Sequence, residues 1–228
     1  MTPAPDHPSH PSTPPADDRP ASVFALILAR PAVLAEARLS RRAPWLLLAA
    51  GLAGCALYGA LAGFFAGGVQ IAVAALKVPL IVALALALCL PSFAVFHLLA
   101  GGELGAGGLV RAASGFVATV GLLLAALGPL AWLFSISSRW LATAVLCHLV
   151  AFGVALGFAL RFLRAMAGGG APRAAAVVWS LLFWLTAVQL AAYLGPVLVA
   201  EPAGELFPLD RGSFLGRFGE ILDYDPVE

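Results

Sequence analysis

Residues 78–100 read VPLIVALALALCLPSFAVFHLLA, an unbroken run without Asp, Glu, Lys or Arg. A helix rises about 1.5 Å per residue, so about 20 residues cross a hydrocarbon core of about 30 Å. This run meets that length. Four more apolar runs do so on either side of it, at 44–66, 112–135, 140–163 and 174–199. The fold class that follows is all-α: a polytopic integral membrane protein with five transmembrane helices.

Composition agrees. The chain has 228 residues, 61% of them hydrophobic and 11% charged. Soluble proteins average roughly 25% charged residues, and a soluble domain of this size needs a polar surface that this chain lacks. Between Pro44 and Ala200 the charged residues are Lys77, Glu103, Arg111, Arg139, Arg161, Arg164 and Arg173. Net charge is +1, which leaves no electrostatic footprint for nucleic acid.

Residues 1–21 hold seven of the 17 prolines, together with Ser, Thr and Asp. Such a segment cannot bury apolar area and is predicted to be a disordered tail. The polar, Pro-rich start is not expected to be a cleavable signal peptide, and the first span is expected to serve as the insertion signal. Residues 22–43 mix Val23–Ala29 with Arg30, Glu36, Arg38, Arg41 and Arg42, which predicts a juxtamembrane amphipathic segment on the cytoplasmic surface. The five-helix domain is expected over 44–200. The tail, 201–228, carries Phe214, Leu215, Phe218, Ile221 and Leu222 at helical spacing and predicts a short external amphipathic helix.

Within the spans, Pro44-Trp45 suits a first helical turn at headgroup level. Gln70 and Lys77 share a face of a lead-in to the second span, with Pro79 expected to mark the turn and Pro91 to kink the helix. The Gly101–Gly108 segment is expected to be a loop. Lys/Arg bias sets the orientation. With the N-terminus inside, nine arginines lie inside (Arg19, Arg30, Arg38, Arg41, Arg42, Arg111, Arg161, Arg164 and Arg173). Lys77, Arg139, Arg211 and Arg217 lie outside. The bias predicts N-in and C-out, in a cell inner (plasma) membrane.

Several residues are candidates for function. Gly51, Cys55, Gly59, Gly63 and Gly67 recur every four residues along the first span, and Gly153 and Gly157 repeat that spacing in the fourth. Small residues at this interval let helix backbones approach closely in lipid. Tyr58, Cys89, His148 and Gln189 count to similar depths and form a candidate polar layer. It reads either as a small site with His148 and Gln189 as partners or as interhelical hydrogen bonding. Lys77 is a candidate lipid-phosphate contact, or a lysine that snorkels to the interface. His97 is expected at the interface.

Enzyme templates find little purchase. Ala112-Ala113-Ser114-Gly115 resembles the serine motif of rhomboid proteases, but Ser114 and His148 fall in opposite halves of the membrane, too far apart for a hydrogen bond. The three cysteines are dispersed within the apolar runs and read as small hydrophobes. His7 and His10 lie in the Pro-rich tail and make no metal cluster. No cofactor or catalytic residue is expected.

Lys77-Val78-Pro79-Leu80, with Leu90-Pro91-Ser92-Phe93-Ala94-Val95-Phe96-His97, resembles the second-span pattern of a bacterial polytopic membrane protein family of undefined activity. Gln189 to Pro196 resembles that family's fifth-span ending, and Gly212-Ser213-Phe214 the stretch before its final helix. The departures are His97 for Asn, Ala192 for Trp and Gly195 for Arg. The five-span layout is similar to the Yip1 class. That resemblance implies a non-enzymatic membrane scaffold or partner-binding subunit, with membrane lipids and a homo-oligomeric or membrane-protein partner. The alternative is a transporter or permease-associated subunit built on the proline-containing second span and the polar layer.

Overall fold

The computed structural model describes residues 42–99, 105–137, 141–166 and 173–194, with Gly216 and Gly219. The expectations for 1–41, for the 138–140 and 167–172 connections and for the rest of the tail lie outside the described residues. Five helices follow in order: α1 Ala43–Gly63, α2 Gln70–Leu99, α3 Ala106–Ser137, α4 Leu141–Met166 and α5 Arg173–Tyr193. No strand occurs among the described residues. Four helices contain apolar stretches long enough to cross a membrane: Ala43–Gly63, Gln70–Leu99, Gly107–Phe134 and Ala142–Ala165. The apolar part of α5, Val177–Tyr193, is shorter.

The outside of the bundle is apolar. Leu57, Leu76, Leu88, Leu133, Leu146, Phe158 and Leu185 are all exposed, while Gln70, Lys77, Ser114, Thr119, His148 and Ser180 are buried. A water-soluble protein of this size rarely exposes so much contiguous apolar surface. Exposed leucines around buried polar groups are what a lipid solvent selects. The chain is a membrane-embedded helical protein.

Small residues set the packing. The backbone of α1 meets α3 at Gly51 and Gly54, where a Cβ on Gly51 would stand 2.5 Å from the Val117 carbonyl oxygen. A Cβ on Gly121 would strike Gly51 itself. Gly59 and Gly63 face α2, against Ala74 and Gln70. The expected ridge therefore divides between two partners, with Cys55 fully buried among them. Gly67 lies past the helix end. Its φ of +74° and the +55° of Gly68 make the turn into α2, a conformation that glycine enters at little cost. A Cβ on Gly153 or Gly157 of α4 would meet nothing within 4 Å, so among the described residues the repeated spacing there packs against no helix.

Two boundaries differ from the sequence reading. Pro79 does not turn the chain. The glycine pair has already done so, and the helix runs from Gln70 through both Pro79 and Pro91. A transmembrane helix tolerates such prolines because its neighbours re-satisfy the freed carbonyls. The third helix starts at Ala106, inside the glycine-rich segment, because a helix that gains tertiary packing outweighs the modest helical penalty of Gly107 and Gly108.

Contacting pairs fix the directions. Gly51 with Val117 and Gly54 with Gly121 make α1 and α3 parallel. Gly59 with Ala74 and Gly63 with Gln70 make α1 and α2 antiparallel. Cys89 with Thr186 and Phe93 with Trp179 make α2 and α5 antiparallel. The central helix is α3, where Ser114 to Gly121 are buried without interruption. The principal packing pairs are α1–α3, α1–α2, α3–α4 and α2–α5.

Candidate functional site

Two polar nodes lie inside the bundle. The first joins α1 to α4. The Tyr58 hydroxyl lies 2.7 Å from Nδ1 of His148, and the two rings meet edge to face at 5.3 Å between centroids. The Tyr58 hydroxyl also lies 3.4 Å from the His148 carbonyl oxygen, which can accept from it. Either group can donate across the shorter contact, and the imidazole tautomer sets which one does. Gly128 of α3 allows the reach. A Cβ there would sit 3.4 Å from the Tyr58 ring and 2.6 Å from Leu61.

This bond has a measurable worth. Tyr58→Phe removes the hydroxyl and keeps the ring, so Nδ1 of His148 loses this hydrogen bond. We expect a loss of about 1 kcal/mol, the scale of interhelical hydrogen bonds in membranes. The check is detergent-denaturation midpoints in mixed micelles for Tyr58→Phe, His148→Leu and the pair together. A double variant whose cost equals the sum of the two single costs would show that these groups do not interact.

The second node joins α2 to α5 beside Pro91. Trp179 Nε1 donates to the Cys89 carbonyl oxygen at 2.9 Å. Ser92 Oγ donates to the same carbonyl at 2.7 Å. Cys89 Sγ donates to Thr186 Oγ1 at 3.6 Å. Proline removes a helical N–H and crowds the preceding turn, and the donors from Trp179 and Ser92 hold the backbone just before it.

Around Trp179 the centre is aromatic. Its ring lies 4.9 Å from Phe93, 5.3 Å from Phe116 and 5.8 Å from Phe183 by centroid. Phe116 and Phe183 meet edge to face at 4.9 Å. His97, two residues from the end of α2, is buried and stacks on Phe93 at 6.2 Å, extending this column.

The candidate residues are thus partly assembled. Tyr58 and His148 meet. Gln189 is exposed on α5, and the partner of His148 is Tyr58. Cys89 pairs with Thr186, one helical turn before Gln189. Lys77, expected at headgroup level, is only 3% exposed and lies on the Gln70 face of α2, and both residues are engaged by neighbouring groups. Ser114 is occupied by the Val110 carbonyl at 2.7 Å, a local helix bond. Among the described residues no group of three or more His, Cys, Asp or Glu is placed to hold a metal.

Trp179 and Thr186 are the members that sequence reasoning missed. Their signal was present. Trp179 and Phe183 are an i, i+4 aromatic pair, and Trp179 lies well inside its helix, away from the headgroup level where membrane tryptophans concentrate.

No protein family model matches the chain, and neither a curated protein nor a solved structure does.

Proposed function

We propose that the chain is a non-enzymatic multi-pass membrane protein that acts as a scaffold or partner-binding subunit. In this reading it has the five-span, N-in/C-out, Yip1-like layout of a bacterial inner-membrane protein. The observation that carries it is the filling of the bundle centre. Phe116, Trp179 and Phe183 are buried against one another, and Tyr58, His148, Cys89, Trp179 and Thr186 direct their polar groups at each other. Polar groups paired in this way tie helices together.

The five-span count draws support from α5. It has 21 residues, about 31 Å at 1.5 Å per residue. The described cations support the orientation. Arg42, Arg111, Arg161, Arg164 and Arg173 all lie toward one end of the bundle, and Lys77 toward the other.

The transporter reading has one observation in its favour: α2 holds two internal prolines and the buried Lys77. Interrupted helices and buried charges are how transporters build sites. Native mass spectrometry from nanodiscs, with solute flux measured in proteoliposomes, separates the two. A scaffold gives a stoichiometric assembly and no flux. A lone monomer that carries a solute would overturn the proposal.

A further inference from the structure

One polar side chain faces outward from the apolar surface of α5. Gln189 is exposed, and its neighbours on that face, Val178, Leu182 and Leu185, are exposed too. Among the described residues the Gln189 amide has no hydrogen-bond partner. Polar groups inside a membrane are costly and usually turn toward the bundle interior. Tyr58, His148 and Ser180 do so. Gln189 does the opposite.

Its depth leaves the amide no route to water. Phe116 meets both Trp179 and Phe183, so residue 116 is level with about residue 181. Both α3 and α5 run antiparallel to α2, so they run the same way. Gln189 is then level with about Leu124, which lies roughly 15 Å from the nearer end of the apolar stretch Gly107–Phe134 at about 1.5 Å per residue. Thr186 meets Cys89 of α2, which puts Gln189 level with about Leu86. Leu86 lies roughly 20 Å from the nearer end of Gln70–Leu99 by the same rise. A glutamine side chain is too short to carry its amide that far, and lipid tails offer it no hydrogen bond.

The stripe has the spacing of a helix-pairing seam. Val178, Leu182, Leu185 and Gln189 are separated by four, three and four residues, the alternation of a and d positions in a coiled coil. At about 100° per residue they fall within about 60° of the helix surface. Transmembrane helices commonly pair with the same left-handed geometry, and glutamines hydrogen-bond across such seams. One polar residue at a single seam position fixes register and partner number. The amide also selects the partner. It both donates and accepts, so it is complementary to a second glutamine. Two copies inserted the same way, related by a two-fold axis along the membrane normal, lay α5 parallel to its copy with like residues at like depth. Gln189 then faces Gln189, each satisfying the other.

We propose that the Val178, Leu182, Leu185 and Gln189 face of α5 docks a second copy of this chain, in a parallel two-fold pair joined by the Gln189 amides. The proposal rests on the scaffold reading above and names its partner. Leu185 and Leu182 supply the apolar packing one and two turns before the amide pair.

The test uses the full chain with Cys55→Ala and Cys147→Ala, retaining the buried Cys89. Mild oxidation in native membranes is expected to link Leu185→Cys into a species of twice the chain mass. The background alone should give no link, nor should Val150→Cys, an exposed position on α4. Affinity is read without cross-linking, from the native mass of purified protein across a dilution series in lipid. Gln189→Leu changes an exposed side chain and is expected to raise the dimer dissociation constant about tenfold, the scale of interhelical hydrogen bonding. Gln189→Asn keeps the amide and should recover part of that loss. A link at Val150→Cys but not at Leu185→Cys, or wild-type affinity in Gln189→Leu, overturns the pair. A Leu185→Cys link to a chain of different mass gives the face to another membrane protein and also overturns it. Solute flux in proteoliposomes separates this failure from that of the scaffold reading. A monomer without flux overturns the pair alone, and a monomer with flux overturns both.

Discussion

Gly121→Val is expected to break the bundle apart at its most closely packed seam. The nearest atoms to a Cβ at position 121 are backbone atoms of Gly51, not a side chain that could swing away. Overpacking of a well-filled core costs typically about 1–3 kcal/mol and occasionally more. With backbone on both sides, the expected cost is at or above the top of that range. The whole of α1 must move, carrying its contacts to α2 and the Tyr58–His148 bond with it. Gly153→Val supplies the contrast. Position 153 has open space around it, so the same substitution should fall within about 0.5 kcal/mol of wild type. Denaturation midpoints in mixed micelles, with size-exclusion profiles, measure both. Equal midpoints for the two variants would remove the glycine seam from the account of this fold.

Trp179→Ala carries the other large expectation. The indole is almost fully buried, contacts three aromatic rings and donates to the Cys89 carbonyl. Truncating a buried Trp typically costs about 3–5 kcal/mol through lost contacts and the cavity left behind. Trp179→Phe retains much of the ring and loses the N–H, so its expected cost from the bond is about 1 kcal/mol. The gap between the two variants measures how much of the α2–α5 junction is packing. Should the two variants cost the same, the hydrogen bond to Cys89 beside Pro91, and not the aromatic column, would be what holds α5.

Much of the architecture was readable from hydropathy and length, because lipid demands continuous apolar helices and few sequences supply them by accident. The places where reading failed have physical causes. Pro79 read as a turn because its missing N–H disfavours a helix in water, but in a membrane the helix remains the best way to satisfy the surrounding backbone. The Gly101–Gly108 run read as a loop because five glycines weaken a helix, yet α3 begins within it once Ala112 and Phe116 are buried. Depth counting brought Tyr58 and His148 to one level correctly. It could not say which face of α5 turns inward, so Gln189 was grouped with residues whose helix face it does not share. The four-residue glycine period identified a packing ridge in α1 but gave the same reading for Gly153 and Gly157, which meet nothing among the described residues. Period reports what a surface permits, and only a partner determines whether it is used.

The central claim is a closed, dry bundle in which Tyr58 bonds His148 and the Cys89 turn bonds Trp179 and Thr186. The most direct measurement is the reactivity of Cys89 toward a membrane-impermeant thiol reagent in sealed proteoliposomes. The protein would carry Cys55→Ala and Cys147→Ala, so that Cys89 is the sole thiol. Cys89 is buried and directed at Thr186 beside the Trp179 contact. The expected result is no labelling from either side until the bilayer is dissolved and the protein denatured. Rapid labelling in the intact membrane would place an aqueous path at the centre of the bundle and contradict the scaffold reading.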